Sequence, residues 1–98
     1  MTSSTHLVLS DLTLSAVQAE ATKAYLRHGD HSMLGAAVTE SDRLAILTEE
    51  VGEVARELNE DRLGNLDPGD WRDRRVKELI QVAAMAATWI EYLEGGAS

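Results

Sequence analysis

Residues 79–90 read Leu-Ile-Gln-Val-Ala-Ala-Met-Ala-Ala-Thr-Trp-Ile, and this stretch decides the fold class. Only Gln81 and Thr88 are polar in it, and it contains neither glycine nor proline. A helix that is apolar on nearly all sides must be buried on nearly all sides. Two other helices of a small chain do not easily surround it. The stretch therefore favours a helix shared between chains, with the central helix of a monomeric bundle as the alternative.

Working outward from this stretch, the sequence predicts three helices and no strands, at about residues 11–28, 42–61 and 71–93. Ser10 or Asp11 is expected to cap the first helix, and Gly29 to end it. Asp70 is expected to cap the third helix. The second helix carries an apolar seam for packing against another helix, at spacings of three and four: Leu44, Leu47, Val51, Val54 and Leu58. The expected fold is an all-α, antiparallel helical bundle whose core is completed by oligomerisation.

The length of the chain predicts its number of domains, and its net charge excludes some classes of binding partner. The 98 residues make a single domain, 1–98, in which residues 1–10 are expected to be a flexible N-terminus. Nine Lys and Arg stand against seventeen Asp and Glu, a net charge of −8, which argues against nonspecific binding to a nucleic-acid polymer or an anionic membrane. The chain has no cysteine and no recognisable secretory signal, so we expect a cytoplasmic protein.

An acidic stripe runs along the second predicted helix. Glu50, Glu53 and Glu57 recur at spacings of three and four, so they are neighbours on one helix face. The stripe lies one residue, or about 100°, from the apolar seam, and the acids therefore border the buried interface. Like charges in this position repel one another, and a hard divalent cation such as Mg²⁺ or Mn²⁺ would relieve the repulsion. The alternative is an ordinary solvated helix face.

The third predicted helix offers a matching polar pair. Glu78 and Gln81 are three residues apart, where a basic stretch gives way to the apolar run. Antiparallel packing would bring this pair to the acidic stripe and form an oxygen-rich metal cage.

The segments 43–53 and 77–83 together resemble the MazG-like all-α nucleoside triphosphate pyrophosphohydrolases. Their pattern is Glu-Glu-x-x-Glu on one helix, as at Glu49, Glu50 and Glu53, and Glu-x-x-Asp on the next, as at Glu78. The resemblance covers about residues 15–94. It implies an Mg²⁺-dependent enzyme, with Mn²⁺ possible, that converts a nucleoside triphosphate to a monophosphate and pyrophosphate. It also implies assembly as a homodimer or homotetramer.

Carried over to this chain, the resemblance makes Glu50, Glu53 and Glu78 metal ligands. Gln81 falls at the fourth ligand position. Glu49 matches a further acid, and either Glu49 or Glu50 is a candidate general base. Basic residues near the start of the third helix are the expected phosphate ligands: Arg74, Arg75 and Lys77.

Gln81 departs from the family pattern, which usually has Asp there. The amide oxygen still coordinates Mg²⁺, but one negative charge is lost, and Glu57 is a candidate to compensate. Three readings stay open: an active enzyme with altered metal affinity, a weak or inactive relative that binds nucleotide, and a non-enzymatic helical oligomer or interaction module.

Overall fold

The computed structural model describes residues 7–95, which form three α-helices joined by two short 3₁₀ turns and contain no strand. The helices are α1 (Asp11–His28), α2 (Glu40–Arg62) and α3 (Trp71–Leu93), and the turns are Gly29–His31 and Pro68–Asp70. The all-α class is confirmed. None of these helices is long and apolar enough to cross a membrane. The prediction of a flexible N-terminus falls largely on residues 1–6, which lie outside the described residues.

Local capping fixes the ends of α1 and the start of α2. The backbone N–H of Thr13 donates to the Ser10 hydroxyl at 3.1 Å. Gly29 ends α1 with a φ of +54°, a conformation that glycine adopts without steric cost. The bounds predicted for α1 are therefore confirmed. Helix α2 begins at Glu40, before the predicted Asp42, because Thr39 and Asp42 form a capping box that starts the helix earlier.

The prediction that the Asp70 side chain caps α3 is wrong. Asp70 holds the N-cap position of α3, but its side chain makes no capping hydrogen bond. The carboxylate that acts here is Asp67, which accepts from the backbone N–H of Gly69 at 2.8 Å and caps the 3₁₀ turn. The turn runs directly into α3.

Helix α3 is the centre of the fold, and α1 and α2 both pack against it. Helices α2 and α3 are antiparallel. The indole N–H of Trp89, near the end of α3, donates to Glu40 at the start of α2, at 2.8 Å. At the other end, Arg75 donates to Asp61 at 2.8 Å.

The core of the single chain is small. Between residues 7 and 95 the buried hydrophobic side chains are Met33, Val38, Ala84 and Met85. The partly buried side chains that pack around Met33, Ala84 and Met85 come from all three helices: Val17, Ala21, Ala24, Ile46, Leu47 and Trp89. Several large apolar side chains of α3 therefore stay about half exposed in the single chain: Val76, Leu79, Ile90 and Leu93.

The apolar seam predicted on α2 divides into two rows. Leu47 and Val54 are half-buried, as expected for side chains that face α3. Leu44, Val51 and Leu58 are 56%, 49% and 47% exposed. Within one chain the seam therefore packs against α3 along one row, and packing of Leu44, Val51 and Leu58 against another helix stays a prediction.

Candidate active site

A cleft of about 340 Å³ opens where α1, the loop after it, α2 and α3 meet. Its polar lining consists of three carboxylates, one amide, one hydroxyl and four basic side chains: Glu20, Glu49, Glu50, Gln81, Ser32, Lys23, Arg27, His28 and His31. Met33, Ile46 and Met85 supply apolar wall. The cleft thus combines acidic and basic groups beside a hydrophobic surface, which suits a ligand that is partly anionic and partly apolar.

Glu50 is the most unusual group in this cleft. Its Oε2 atom is buried and has no hydrogen-bond partner. Burial raises the pKa of the Glu50 carboxyl above its usual value of 4.5, and the neighbouring charges of Glu78, Glu53, Glu49 and Glu20 raise it further. An unpaired carboxylate among other carboxylates is unfavourable, so the site would be stabilised by a cation.

The other predicted ligands lie around Glu50. Glu78, half-buried on α3, is the neighbouring charge that raises the pKa of Glu50 most, and Gln81 lines the cleft itself. Glu53 is half-buried and accepts a hydrogen bond from the exposed Arg56. The structure thus brings Glu49, Glu50, Glu78 and Gln81 to one region, with Glu53 on its border.

These carboxylates do not form a closed cage. Within residues 7–95, no three His, Asp or Glu side chains are gathered closely enough to hold a metal ion. The donor set nevertheless fits Mg²⁺, because it consists of oxygen atoms and includes the unpaired Glu50 oxygen. To bind a metal ion, the predicted ligands on α2 and α3 would have to change rotamer so that their oxygen atoms point toward the same position.

The basic side of the cleft comes from α1 and the turn after it, and sequence reasoning missed it. Lys23 and Arg27 are four residues apart, so they share the face of α1 that carries Ala24. His28 ends the helix, and His31 closes the 3₁₀ turn. The spacing of Lys23 and Arg27 places them on one helix face, but it does not indicate that this face lines a cleft.

The basic residues predicted to bind phosphate lie elsewhere. Arg74 and Arg75 donate to the two carboxylate oxygens of Asp61, at 2.5 and 2.8 Å. Arg75 also donates to Glu57 at 3.3 Å. This arginine–carboxylate cluster joins α2 to α3, so Glu57 faces arginine side chains and does not line the cleft. Lys77 borders a separate groove between α1 and α3.

A fully buried arginine holds the loop that forms one wall of the cleft. The Arg43 side chain is 1% exposed. It donates to the backbone carbonyls of Met33, Gly35 and Val38 at 2.8, 2.9 and 2.6 Å. Its guanidinium also lies 3.5 Å from the centre of the Tyr92 ring. These contacts fix the position of Met33 and of the preceding turn with His31.

No known protein family, curated protein or solved structure matches the chain.

Proposed function

We propose that the protein is a metal-dependent nucleoside triphosphate pyrophosphohydrolase that converts a (d)NTP to a (d)NMP and pyrophosphate. The observation that carries the proposal is the buried, unpaired Oε2 atom of Glu50 in a cleft whose opposite wall is basic. A cation at Glu50 and anionic phosphates near the basic wall would satisfy both sets of charges at once. The resemblance of the Glu49–Glu53 segment to the MazG-like pattern supports the same reaction.

The metal would be held by Glu50, Glu53, Glu78 and the amide oxygen of Gln81. When bound, Mg²⁺ or Mn²⁺ neutralises phosphate oxygens and makes a coordinated water more acidic. Gln81 contributes an oxygen without a charge, so the set is less negative than the family pattern and favours fewer cations.

Lys23 and Arg27 are our candidates for holding the triphosphate, in place of Arg74, Arg75 and Lys77. They line the cleft, whereas Arg74 and Arg75 are already paired with Asp61. An arginine can bind two phosphate oxygens through its planar guanidinium, and a lysine supplies a point charge. His28 and His31 add hydrogen-bond donors at the same wall.

Glu49 is suited to be the general base. It is exposed, lines the cleft and adjoins Glu50 in the chain. In the reaction, Glu49 accepts a proton from a water whose oxygen attacks the phosphorus, and the α–β phosphoanhydride bond breaks. Attack is at the α-phosphorus, so pyrophosphate leaves with the bridging oxygen and the electron pair of the broken P–O bond, and the monophosphate keeps the oxygen of the water.

The proposal also covers setting and assembly. A free nucleotide as substrate agrees with a cytoplasmic enzyme, and the half-exposed apolar side chains of α2 and α3 favour a homo-oligomer. Neither a nucleic-acid polymer nor a membrane is a partner in this scheme, since the charge is −8.

The experiment is to incubate the purified protein with each dNTP and NTP in Mg²⁺ and in Mn²⁺, and to measure pyrophosphate release. Activity should require the metal and should be abolished in Glu50→Gln. Arg62→Gln is a matched control, because Arg62 is exposed and, among the described residues, its side chain bonds to Asn59 of the same helix.

Absence of turnover with every nucleotide in both metals would remove the enzymatic proposal. Metal-dependent nucleotide binding without release of pyrophosphate would identify a non-catalytic relative, and Gln81→Asp would then be expected to increase metal affinity. Unchanged thermal stability in Mn²⁺ beyond the effect of ionic strength would instead favour an interaction module.

A further inference from the structure

The cleft is bordered on one side by a loop that folds back on itself, residues 30–37. The backbone N–H of Ala37 donates to the carbonyl oxygen of Asp30 at 3.1 Å and joins the two ends of the loop. His31 and Met33 lie within the loop and line the cleft. The place that the His31 side chain takes in the cleft therefore depends on how the whole loop is folded.

Arg43, on α2, holds this loop in its shape. Its Nε–H donates to the carbonyl of Met33, and its two terminal nitrogens donate to the carbonyls of Val38 and Gly35. We call Arg43 and these three carbonyls the Arg43 clamp. Because the guanidinium is planar and its N–H groups point in fixed directions, one side chain fixes three positions of the loop at once. An ammonium group at the same position does not have this geometry.

Stability alone does not account for a buried charge at this position. Arg43 is 1% exposed, and the carboxylate paired with it among the described residues, Glu40, is 3.7 Å away and itself 56% exposed. Well-packed apolar residues in place of a buried ion pair are often at least as stabilising. In some proteins a buried charge is retained because it selects one conformation among several. Here the conformation that Arg43 selects is that of the cleft wall.

The last turns of α3 hold the guanidinium of Arg43 in turn. The ring of Tyr92, which is half-buried, has its centre 3.5 Å from the guanidinium carbon. Glu40 Oε2 accepts a hydrogen bond from the indole N–H of Trp89 at 2.8 Å, and the same oxygen lies 3.7 Å from Arg43 Nη1. The end of α3 is therefore linked to the cleft wall through Arg43.

We propose that Arg43 is a positioning residue for substrate binding. It shapes the loop so that His31 and Met33 line the cleft, and Tyr92 keeps Arg43 in place. This role rests on the proposed function, because it makes the loop part of the surface that meets the nucleotide. Arg43 is buried and does not itself touch the substrate. Loss of the Arg43 clamp should displace groups that bind the substrate and leave the acidic side of the cleft, with Glu50, unchanged.

Tyr92→Leu tests the role of the aromatic ring without removing a hydrogen bond of the Arg43 clamp. In the pyrophosphate assay, at a temperature at which the variant is folded, KM should rise at least about fivefold and kcat should stay within about twofold, because the groups displaced bind the ground state and the transition state alike. A merely structural role would lower the fraction of active protein, and so kcat, and would leave KM unchanged.

Trp71→Leu is the matched control for this substitution. The Trp71 ring also lies beside a guanidinium, that of Arg72, at 4.8 Å, but at the opposite end of α3. The KM of this variant should equal that of wild type.

Combining two substitutions tests whether Tyr92 acts through Arg43. Arg43→Lys should raise KM at least as much as Tyr92→Leu does. The variant with both changes should have the KM of Arg43→Lys alone, because effects of residues that act as a unit are not additive. Effects on KM that multiply in the double variant would contradict this route.

Amide hydrogen exchange of the substrate-free protein tests the Arg43 clamp separately from any activity, and it needs only Tyr92→Leu. The N–H groups of Gly35 and Ala37 are bonded within the loop. In Tyr92→Leu both should exchange at least about tenfold faster relative to amides in the middle of α2, which report global unfolding. Trp71→Leu should leave this ratio unchanged.

Two results would overturn the proposal. One is wild-type exchange of the Gly35 and Ala37 amides in Tyr92→Leu, and the other is a KM that stays unchanged although these amides exchange faster. Absence of turnover in the wild type would instead refute the enzymatic proposal, and faster loop exchange in Tyr92→Leu would still support the Arg43 clamp. The two proposals therefore fail by different measurements.

Discussion

The Arg43 guanidinium lies 3.5 Å from the centre of the Tyr92 ring, and it joins the start of α2 to the end of α3. The same group donates to three carbonyls of the loop between α1 and α2. A charge buried to 1% exposure is tolerated because these oxygens and the aromatic face replace its hydration. Glu40, 3.7 Å away, supplies the only carboxylate paired with it among the described residues.

Arg43→Lys should lower the free energy of unfolding by about 2–4 kcal/mol, because an ammonium cannot reach three carbonyls or stack on Tyr92. Urea denaturation followed by circular dichroism measures the change. Arg62→Lys should stay within about 0.5 kcal/mol of wild type, since Arg62 is exposed and makes one intrahelical bond. Equal effects of the two substitutions would contradict the role given to Arg43.

Gly35→Ala and Gly52→Ala should have opposite effects on stability. A Cβ at Gly35 would lie 1.9 Å from the Asp30 carbonyl oxygen, so the loop that forms the cleft wall must move. A Cβ at Gly52, within α2, meets no atom within 4 Å, and alanine there should stabilise the helix by about 1 kcal/mol. Thermal unfolding of the two variants checks this, and destabilisation by Gly52→Ala would show that the surface around it is covered.

Periodicity predicted the helices well because the signals that begin and end them are local. Ser10 and Gly29 act within a few residues of the positions they fix, and so the bounds of α1 were predictable. The loop over residues 29–39 was not, because its position depends on Arg43, which is brought to it by folding. In the sequence, Arg43 looks like an ordinary charged residue at the start of a helix.

Glu50→Gln should stabilise the metal-free protein at neutral pH. The pKa of Glu50 is raised in the folded state, so the folded state holds this proton more tightly than the unfolded state does. The stability that this group contributes is complete below the unfolded value of about 4.5 and is lost as the pH rises through the higher folded pKa. The advantage of the glutamine variant should therefore be present at pH 7 and decrease toward pH 4.

Urea denaturation in a chelating buffer across this range measures the difference between the two proteins. Glu49→Gln is the matched control, because the Glu49 side chain is exposed, and its effect should depend much less on pH. A Glu50→Gln advantage that is the same at every pH would contradict the interpretation. Addition of Mn²⁺ should stabilise wild type more than Glu50→Gln, since a ligand that binds only the folded state raises its stability.

The candidate site was predictable on its acidic side and not on its basic side. Glu50 and Glu78 stand at helical spacings from other polar residues and next to apolar ones, and this pattern is visible in the sequence. The location of Arg27 depends on how α1 crosses the other helices, and no spacing within α1 encodes that crossing. Arg74 and Arg75 were misplaced for the same reason, because their partner Asp61 belongs to another helix.

Arg75→Met should lower the stability of the protein, whereas Arg27→Met should weaken substrate binding. Arg75 is 19% exposed and bonds to Asp61 and Glu57, so its loss removes the hydrogen bond to Glu57 and one of the two arginine partners of Asp61. It should lower the free energy of unfolding by about 1–3 kcal/mol. Arg27 is exposed and lines the cleft, so its replacement should change stability by less than about 0.5 kcal/mol. In the pyrophosphate assay, Arg27→Met should raise KM, and Arg75→Met should leave KM unchanged at a temperature where it is folded. The reverse pattern would return the phosphate site to the start of α3, where the sequence alone had placed it.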